Sequence, residues 1–127
     1  MTAWTNDELG RIGAADELQI ASRRSDGTLR NPVTIWVARH GDELYVRSVN
    51  GRGSSWFRGV QVLHEARISA GGVEKDVVLV ETDEANDEVD AAYREKYRRY
   101  AAAIVDSIVS AEARAATLRL VPRSTAP

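Results

Sequence analysis

The sequence predicts an α+β fold that is mainly β: an antiparallel barrel with flanking helices. Three observations predict it. Some six segments alternate apolar and polar residues at the period of a strand, separated by short turn signals. Helical patterns fall at the start, the middle and late in the chain rather than between every pair of strands. The connections are too short for the crossovers of parallel βαβ units, so neighbouring strands run antiparallel.

Thr5-Asn6-Asp7-Glu8 has capping-box spacing, and Leu9 and Ile12 follow as the apolar face of a short helix ending near Ala14-Ala15. Glu17 to Arg23 alternates, with Leu18, Ile20 and Ser22 on one side, and reads as the first strand. Ser25-Asp26-Gly27-Thr28 is a turn, since Asp-Gly supplies the positive φ of a reversal. Pro32 opens a strand through Arg39 that is rich in β-branched residues, and His40-Gly41-Asp42 turns it into a strand over Leu44–Val49. Trp56, Val60 and Leu63 then fall at helical spacing. His64–Ala70 and Val73–Glu81 flank Gly71-Gly72, a two-residue hairpin signal.

Asp83 to about Ile104 reads as one long helix. Its apolar stripe is Val89, Tyr93, Tyr97, Tyr100 and Ile104, and Asp90–Arg94 and Glu95–Arg99 are i,i+4 charge pairs. A helical turn around Ala111–Ala116 precedes a closing strand at Thr117–Val121, and Pro122 onward reads as a tail. The whole of 1–127 is expected to form a single domain, with residues 1–4 and 123–127 as frayed ends.

The composition narrows the function. A chain of 127 residues has material for one core. A net charge of −2 provides no global basic field for nucleic acid. Cysteine is absent, which excludes disulfides and thiolate metal sites and fits a reducing cytoplasm. Met1 leads into a polar, acidic segment, and no run is long enough to span a bilayer, so a cytoplasmic protein without membrane partners is expected. His40 and His64 have no companion ligands, and no Ser/His/Asp order or carboxylate pair supports hydrolysis.

The stretch richest in chemistry is Ser48 to Phe57, where Asn50, Gly51, Arg52, Gly53 and Ser54 separate a strand from a helix that carries Trp56. Glycines let a backbone approach a ligand, helix N-terminal N–H groups face anions, and Arg52 offers a planar fork for phosphate. The same composition also suits a plain connection with Ser54 as N-cap. Arg23, Arg24 and Arg30 flank the first turn, either converging on one anion with Arg52 or standing as solvated strand-end charges. The tyrosine stripe reads as core, although a phenol at a cofactor's edge could donate a proton.

Ile20 to Val33 resembles the first hairpin of the flavin and deazaflavin split-barrel proteins, in which basic residues flank a Gly-bearing turn and a proline opens the next strand. More narrowly, the chain resembles the DUF2255 group. That likeness lies in Trp4-Thr5 before an acidic helix, Ile35-Trp36-Val37, Arg52-Gly53-Ser54 with Trp56, and Ala92-Tyr93-Arg94 with Lys96-Tyr97; it runs from Trp4 to Arg123. The resemblance implies a split β-barrel, a homodimer, and FMN or coenzyme F420 as cofactor, with hydride transfer to a small organic acceptor. It implies that Arg24 and Arg30 hold the cofactor's phosphate or acidic tail. Pro32, Thr34 and Trp36 would line its ring, with Ser48, the loop Asn50 to Ser54 and Trp56 on a second phosphate side. The chain departs from the pattern in carrying Asn50-Gly51-Arg52-Gly53 where deazaflavin reductases often carry a lysine-containing loop. The paired basic residues that FMN oxidases use on successive strands are also not cleanly present. A cofactor-free, ligand-sensing dimeric module is the alternative.

Overall fold

Residues 3–123 are described by the computed structural model. Helix α1 (Asn6–Ala14) starts where its capping box dictates: Thr5 Oγ1 accepts from the Glu8 N–H at 3.1 Å, and Glu8 Oε1 accepts from the Thr5 N–H at 2.9 Å. Its buried face is Leu9 and Ile12. The strands β1 (Leu18–Ser22), β2 (Val33–Ile35), β3 (Val37–His40), β4 (Glu43–Arg47), β5 (Glu65–Ala70), β6 (Val73–Glu81) and β7 (Thr117–Pro122) form one antiparallel sheet in the order β2-β1-β5-β6-β7-β4-β3.

The ends of that order are the two halves of a single run of chain. The predicted strand Pro32–Arg39 is broken at Trp36: its first half pairs with β1 (Ile20↔Val33), its second with β4 (Val37↔Val46). One segment thus joins both edges of the sheet, which makes a nearly closed barrel. Strand β2 pairs only with β1 and not with β4, and a split remains between β2 and the end of β4. The break has no turn residue to announce it, because Trp36 sits amid β-branched neighbours.

Inward alternation fills the barrel with Leu18, Ile20, Val37, Leu44, Val46, Ile68, Leu79, Leu118 and Leu120. Helix α2 (Ser55–Leu63) adds Phe57 and Val60 to the same core, and each such burial contributes about 1.5–3 kcal/mol. Gly71 and Gly72 both take positive φ (58° and 83°), as the two-residue hairpin requires. A Cβ at Gly71 would lie 2.3 Å from the Arg11 carbonyl oxygen, so α1 packs directly over this turn.

The predicted long helix is in fact two, α3 (Asn86–Lys96) and α4 (Ala102–Ile108), and the predicted helical turn after it is α5 (Ala111–Arg114). Val89, Tyr93 and Tyr97 are buried as the stripe predicts, whereas Tyr100 and Ile104 are exposed. The chain turns away after Tyr97 because that region is tied to the loop before β1: the Tyr97 hydroxyl donates to the Asp16 carbonyl at 2.7 Å and Arg99 pairs with the Asp16 carboxylate at 2.6 Å. The predicted charge pairs are replaced accordingly. Asp90 serves Arg47 and Arg114, Arg94 reaches Asp106, and Glu95 pairs with Arg98.

Two predicted tails are structured where described. Trp4 is buried and its Nε1 donates to the Leu120 carbonyl at 3.0 Å. Strand β7 continues through Pro122, and Arg123 pairs with Glu65 at 3.0 Å. The rest of the expected frayed ends, 1–2 and 124–127, lies outside the described residues. Among the described residues, no helix is long and apolar enough to cross a membrane, and no cluster of His, Asp and Glu is placed to hold a metal.

Candidate functional site

The split between β2 and the end of β4 is a cleft of about 350 Å³. Thr34 and Trp36 line one wall and Ser48 and Asn50 the other, with Ser54 and Trp56 at the start of α2. Val33, Val49 and Ile104 stand exposed around it. As a three-residue strand paired only with β1, β2 leaves its other edge, with unpaired backbone groups, along the cleft. A second cavity of about 310 Å³ adjoins the first, since Val33 and Trp56 line both. Arg24, Arg30, Asn31 and Ser55 line this second part.

Among the described residues neither arginine there has a carboxylate within 4 Å, although the Arg24 charge helps lower the pKa of Asp26 across the turn, after the bonds from Thr28. Arg24 Nη1 donates to the Leu29 carbonyl at 2.9 Å and to Thr28 Oγ1 at 3.3 Å. Arg30 Nη1 donates to the carbonyls of Arg23 at 3.1 Å and Gly59 at 3.4 Å, and to Ser22 Oγ at 3.5 Å. Every one of these bonds uses Nη1, so each guanidinium is fixed by one nitrogen and keeps the donors of Nη2. Gly59 makes the fit possible. A Cβ there would lie 2.8 Å from Ser22 Oγ and 3.4 Å from Arg30 Nε.

Helix α2 adds its N-terminus. Ser54 occupies the N-cap, but its Oγ bonds to Ser48 Oγ at 2.7 Å and makes no bond to the helix. The orphan N–H groups of the first turn therefore have no side-chain cap, at a helix end whose first residue, Ser55, lines the arginine-bearing cavity.

The loop before α2 behaves differently from the expectation of an arginine fork. Gly51 (φ 78°) opens a 3₁₀ turn, Gly51–Gly53, and is buried against Glu112. Neither it nor Gly53 lines the cleft. Arg52 points to the far side, donating to Glu81 Oε1 at 2.6 Å and to the Ala115 carbonyl at 3.2 Å, with its guanidinium 5.3 Å from the Phe57 ring centroid. That guanidinium, with His64 and Gln61, holds the Glu81 carboxyl below the usual carboxylate range. Pro32 lines a shallow depression on the outer face beside Arg67 and Glu74. Arg23 is paired with Glu65 and Asp76.

Several lining residues carried no legible signal. Arg47 lines the cleft although its side chain is fully buried. Its Nε donates to Thr117 Oγ1 at 2.9 Å, Nη2 reaches the Asn86 carbonyl at 3.1 Å, and Nη1 pairs with Asp90 and donates to the Ile108 carbonyl at 3.2 Å. All its donor nitrogens are engaged, so it staples α3 and α4 to the barrel. Ile104 and Ser107 reach the cleft only because the chain breaks after Tyr97.

The fold recurs in solved structures. A conserved hypothetical protein of Mycobacterium tuberculosis matches at 15% identity with a TM-score of 0.68, over 97% of this chain and 83% of its own. HutZ, the heme storage protein of Vibrio cholerae, matches at 18% identity and a TM-score of 0.66, over 94% and 90%. A protein described as an F420 reductase matches at 15% identity and a TM-score of 0.57, over 93% of each chain. No curated protein matches the sequence. These solved structures share this chain's barrel architecture, and residues 8–120 match the model of the family described as uncharacterized proteins conserved in bacteria (DUF2255), to which this chain belongs.

Proposed function

We propose that the protein holds an isoalloxazine-type cofactor, FMN or coenzyme F420, in the split of the barrel and acts as an oxidoreductase on a small organic acceptor. The observation that carries this reading is the polarity of the double cleft. One end presents Arg24 and Arg30, with no carboxylate within 4 Å among the described residues, beside the uncapped first turn of α2; the other is apolar, between Trp36, Trp56 and Val33. A phosphate or acidic tail suits the first end and a flat ring the second. The free edge of β2 supplies backbone donors and acceptors for a ring's polar rim.

Bound there, the cofactor would supply the hydride chemistry. The chain's own part is to bind, orient and shield. The cleft beside Trp36 offers the hydroxyls of Thr34, Ser48, Ser54 and Ser107 and the Asn50 amide, and Arg47, its one ionisable group, is engaged throughout. A proton needed by the acceptor therefore comes from solvent or through a hydroxyl. The heme of HutZ is a poorer fit, since no His, Met, Cys or Tyr lines either part of the cleft. The apolar rim of Val33, Val49 and Ile104 suits coverage by a second copy of the chain, and sedimentation giving a monomer at all concentrations would remove that part of the proposal.

The direct test is titration of the purified protein into FMN and, separately, coenzyme F420, following cofactor fluorescence. Saturable quenching at micromolar protein supports the reading and tells the two cofactors apart. If neither binds, the proposal fails and a cofactor-free module takes its place.

A further inference from the structure

Tyr93, Lys96 and Tyr97 all reach the same two residues of the strand break, Trp36 and Val37, where Trp36 packs on a second hydrophobic cluster that includes both tyrosines. The Tyr93 hydroxyl donates to the Trp36 carbonyl at 3.4 Å, and Lys96 Nζ donates to the Val37 carbonyl at 2.7 Å. The Tyr97 hydroxyl accepts from the Val37 N–H at 3.4 Å while donating to the Asp16 carbonyl at 2.7 Å. The Tyr97 ring stacks on the Trp36 indole with centroids 3.8 Å apart and planes within 3°. Tyr93 lies behind Tyr97 at 6.1 Å, and the buried Arg47 guanidinium behind Tyr93 at 5.7 Å. A column of flat groups thus leads from the core to Trp36, the one member of the aromatic series that lines the cleft.

Trp36 is half-buried at a point where the chain leaves one strand partner for another, a place where an indole would otherwise sample several rotamers. Tyr97 is completely buried and cannot itself touch a ligand in the cleft. Its parallel stack covers one face of the indole, and Tyr100, tilted by 47° at 5.2 Å, flanks it. The surface that remains is presented to the cleft in a fixed orientation.

We propose that Tyr97 is a positioning residue that, with Lys96, locks the Trp36 indole as the platform on which the planar ring of the ligand stacks. The inference rests on reading the cleft as a site for a flat cofactor ring. Stacking on a preordered indole avoids the entropy of ordering it at the moment of binding. A tryptophan in contact with an isoalloxazine also quenches its emission, which gives the platform a signature separate from affinity.

The experiment measures two quantities for FMN or coenzyme F420, whichever the wild type binds: Kd, and residual fluorescence at saturation. Trp36→Leu is expected to weaken binding about tenfold, the scale of losing one ring stack, and to restore part of the bound ligand's emission, Trp56 still lining the cleft. Tyr97→Phe keeps the stack and should keep wild-type quenching. Tyr97→Leu frees the indole and should raise both Kd and emission while Trp36 is still present. If Tyr97→Leu does not fold, Lys96→Met, which removes only the Val37 contact, is expected to move both readouts the same way by less. Wild-type quenching in Trp36→Leu overturns the platform, and unchanged readouts in both Tyr97→Leu and Lys96→Met overturn the positioning role. In either case wild-type binding would leave the reading of the cleft intact. If the wild type binds neither cofactor, both ideas fall together.

Discussion

Arg30 and Arg52 both lie against α2, Arg30 at the Gly59 carbonyl and Arg52 over the Phe57 ring, and they differ in what answers their charge. Arg30 touches two carbonyls and a hydroxyl through a single nitrogen, and no carboxylate lies within 4 Å among the described residues. Arg52 has a carboxylate at 2.6 Å, a carbonyl, and an aromatic face beneath it. Both are arginines in Gly- and Ser-rich surroundings, so composition treats them alike. Their counter-charges separate them: Glu81 lies 29 residues from Arg52 in sequence and is brought there by β6. An arginine whose charge is already met is a poor phosphate ligand, because an incoming anion must displace a carboxylate to gain the fork.

That contrast is easiest to break by truncation. Arg30→Ala should cost about 1.5–3 kcal/mol of cofactor binding, the range for a hydrogen bond to a charged group, or roughly 10- to 100-fold in Kd. Arg52→Ala should leave Kd within about twofold and lose no more than about 1 kcal/mol of stability, as expected of a half-exposed pair. Fluorescence titration and thermal melts on the two variants decide the matter. Equal losses of affinity, or a larger loss for Arg52→Ala, would return the anion site to the loop at 50–54.

Gly59→Ala probes the same side of the comparison through packing rather than charge. Its Cβ would press on Ser22 Oγ at 2.8 Å and touch the Arg30 stem at 3.4 Å, so Ser22 Oγ, one of Arg30's three anchors, must move. A loss of about fivefold in affinity is expected, from a misplaced charge-assisted bond. The helix propensity gain of alanine, about 1 kcal/mol, partly offsets the clash. Affinity should therefore fall more than the melting temperature suggests. A variant with wild-type Kd would show that Arg30's exact placement is immaterial to binding.

Local chemistry made much of this fold legible. The capping box at Thr5, the glycine hairpin at 71–72 and the alternation of β5 each carry their own cause within a few residues. What was hidden depends on partners far away in sequence. Trp36 breaks a strand because β1 and β4 claim its two halves. Tyr97 ends a helix because Asp16 holds its hydroxyl, and neither Gly nor Pro marks the place. The candidate site divides the same way. Thr34, Trp36, Ser48, Asn50, Ser54 and Trp56 share one cleft, and Arg24 and Arg30 adjoin it, because a strand break and a helix start meet there. Gly59 and Ser55, in contrast, become legible only once α2 is seen against Arg30.

Lys96 extends the comparison to a cation that can give up its charge. Like Arg30 it is held by a carbonyl, Val37 O at 2.7 Å, and has no carboxylate within 4 Å among the described residues. An arginine in that position stays charged, whereas burial lowers the Lys96 pKa from 10.5 to about 8, with Arg99 adding to the effect and Asp16 opposing it. Between pH 8 and 10.5 the unfolded chain therefore binds the extra proton, and stability rises with pH. Below pH 8 both states are protonated and the burial penalty is present in full. Burial raises the phenol pKa values of Tyr93 and Tyr97 above their ordinary 10.0, so above pH 10 the unfolded chain loses protons that the folded one keeps, and stability falls. The melting temperature should thus pass through a maximum near pH 10. Solvent screening of a partly exposed amine limits the rise to about 1 kcal/mol, or about 4 °C for a domain of this size. Lys96→Met should abolish the rise and retain the fall, and an unchanged rise in that variant would assign the titration to another group.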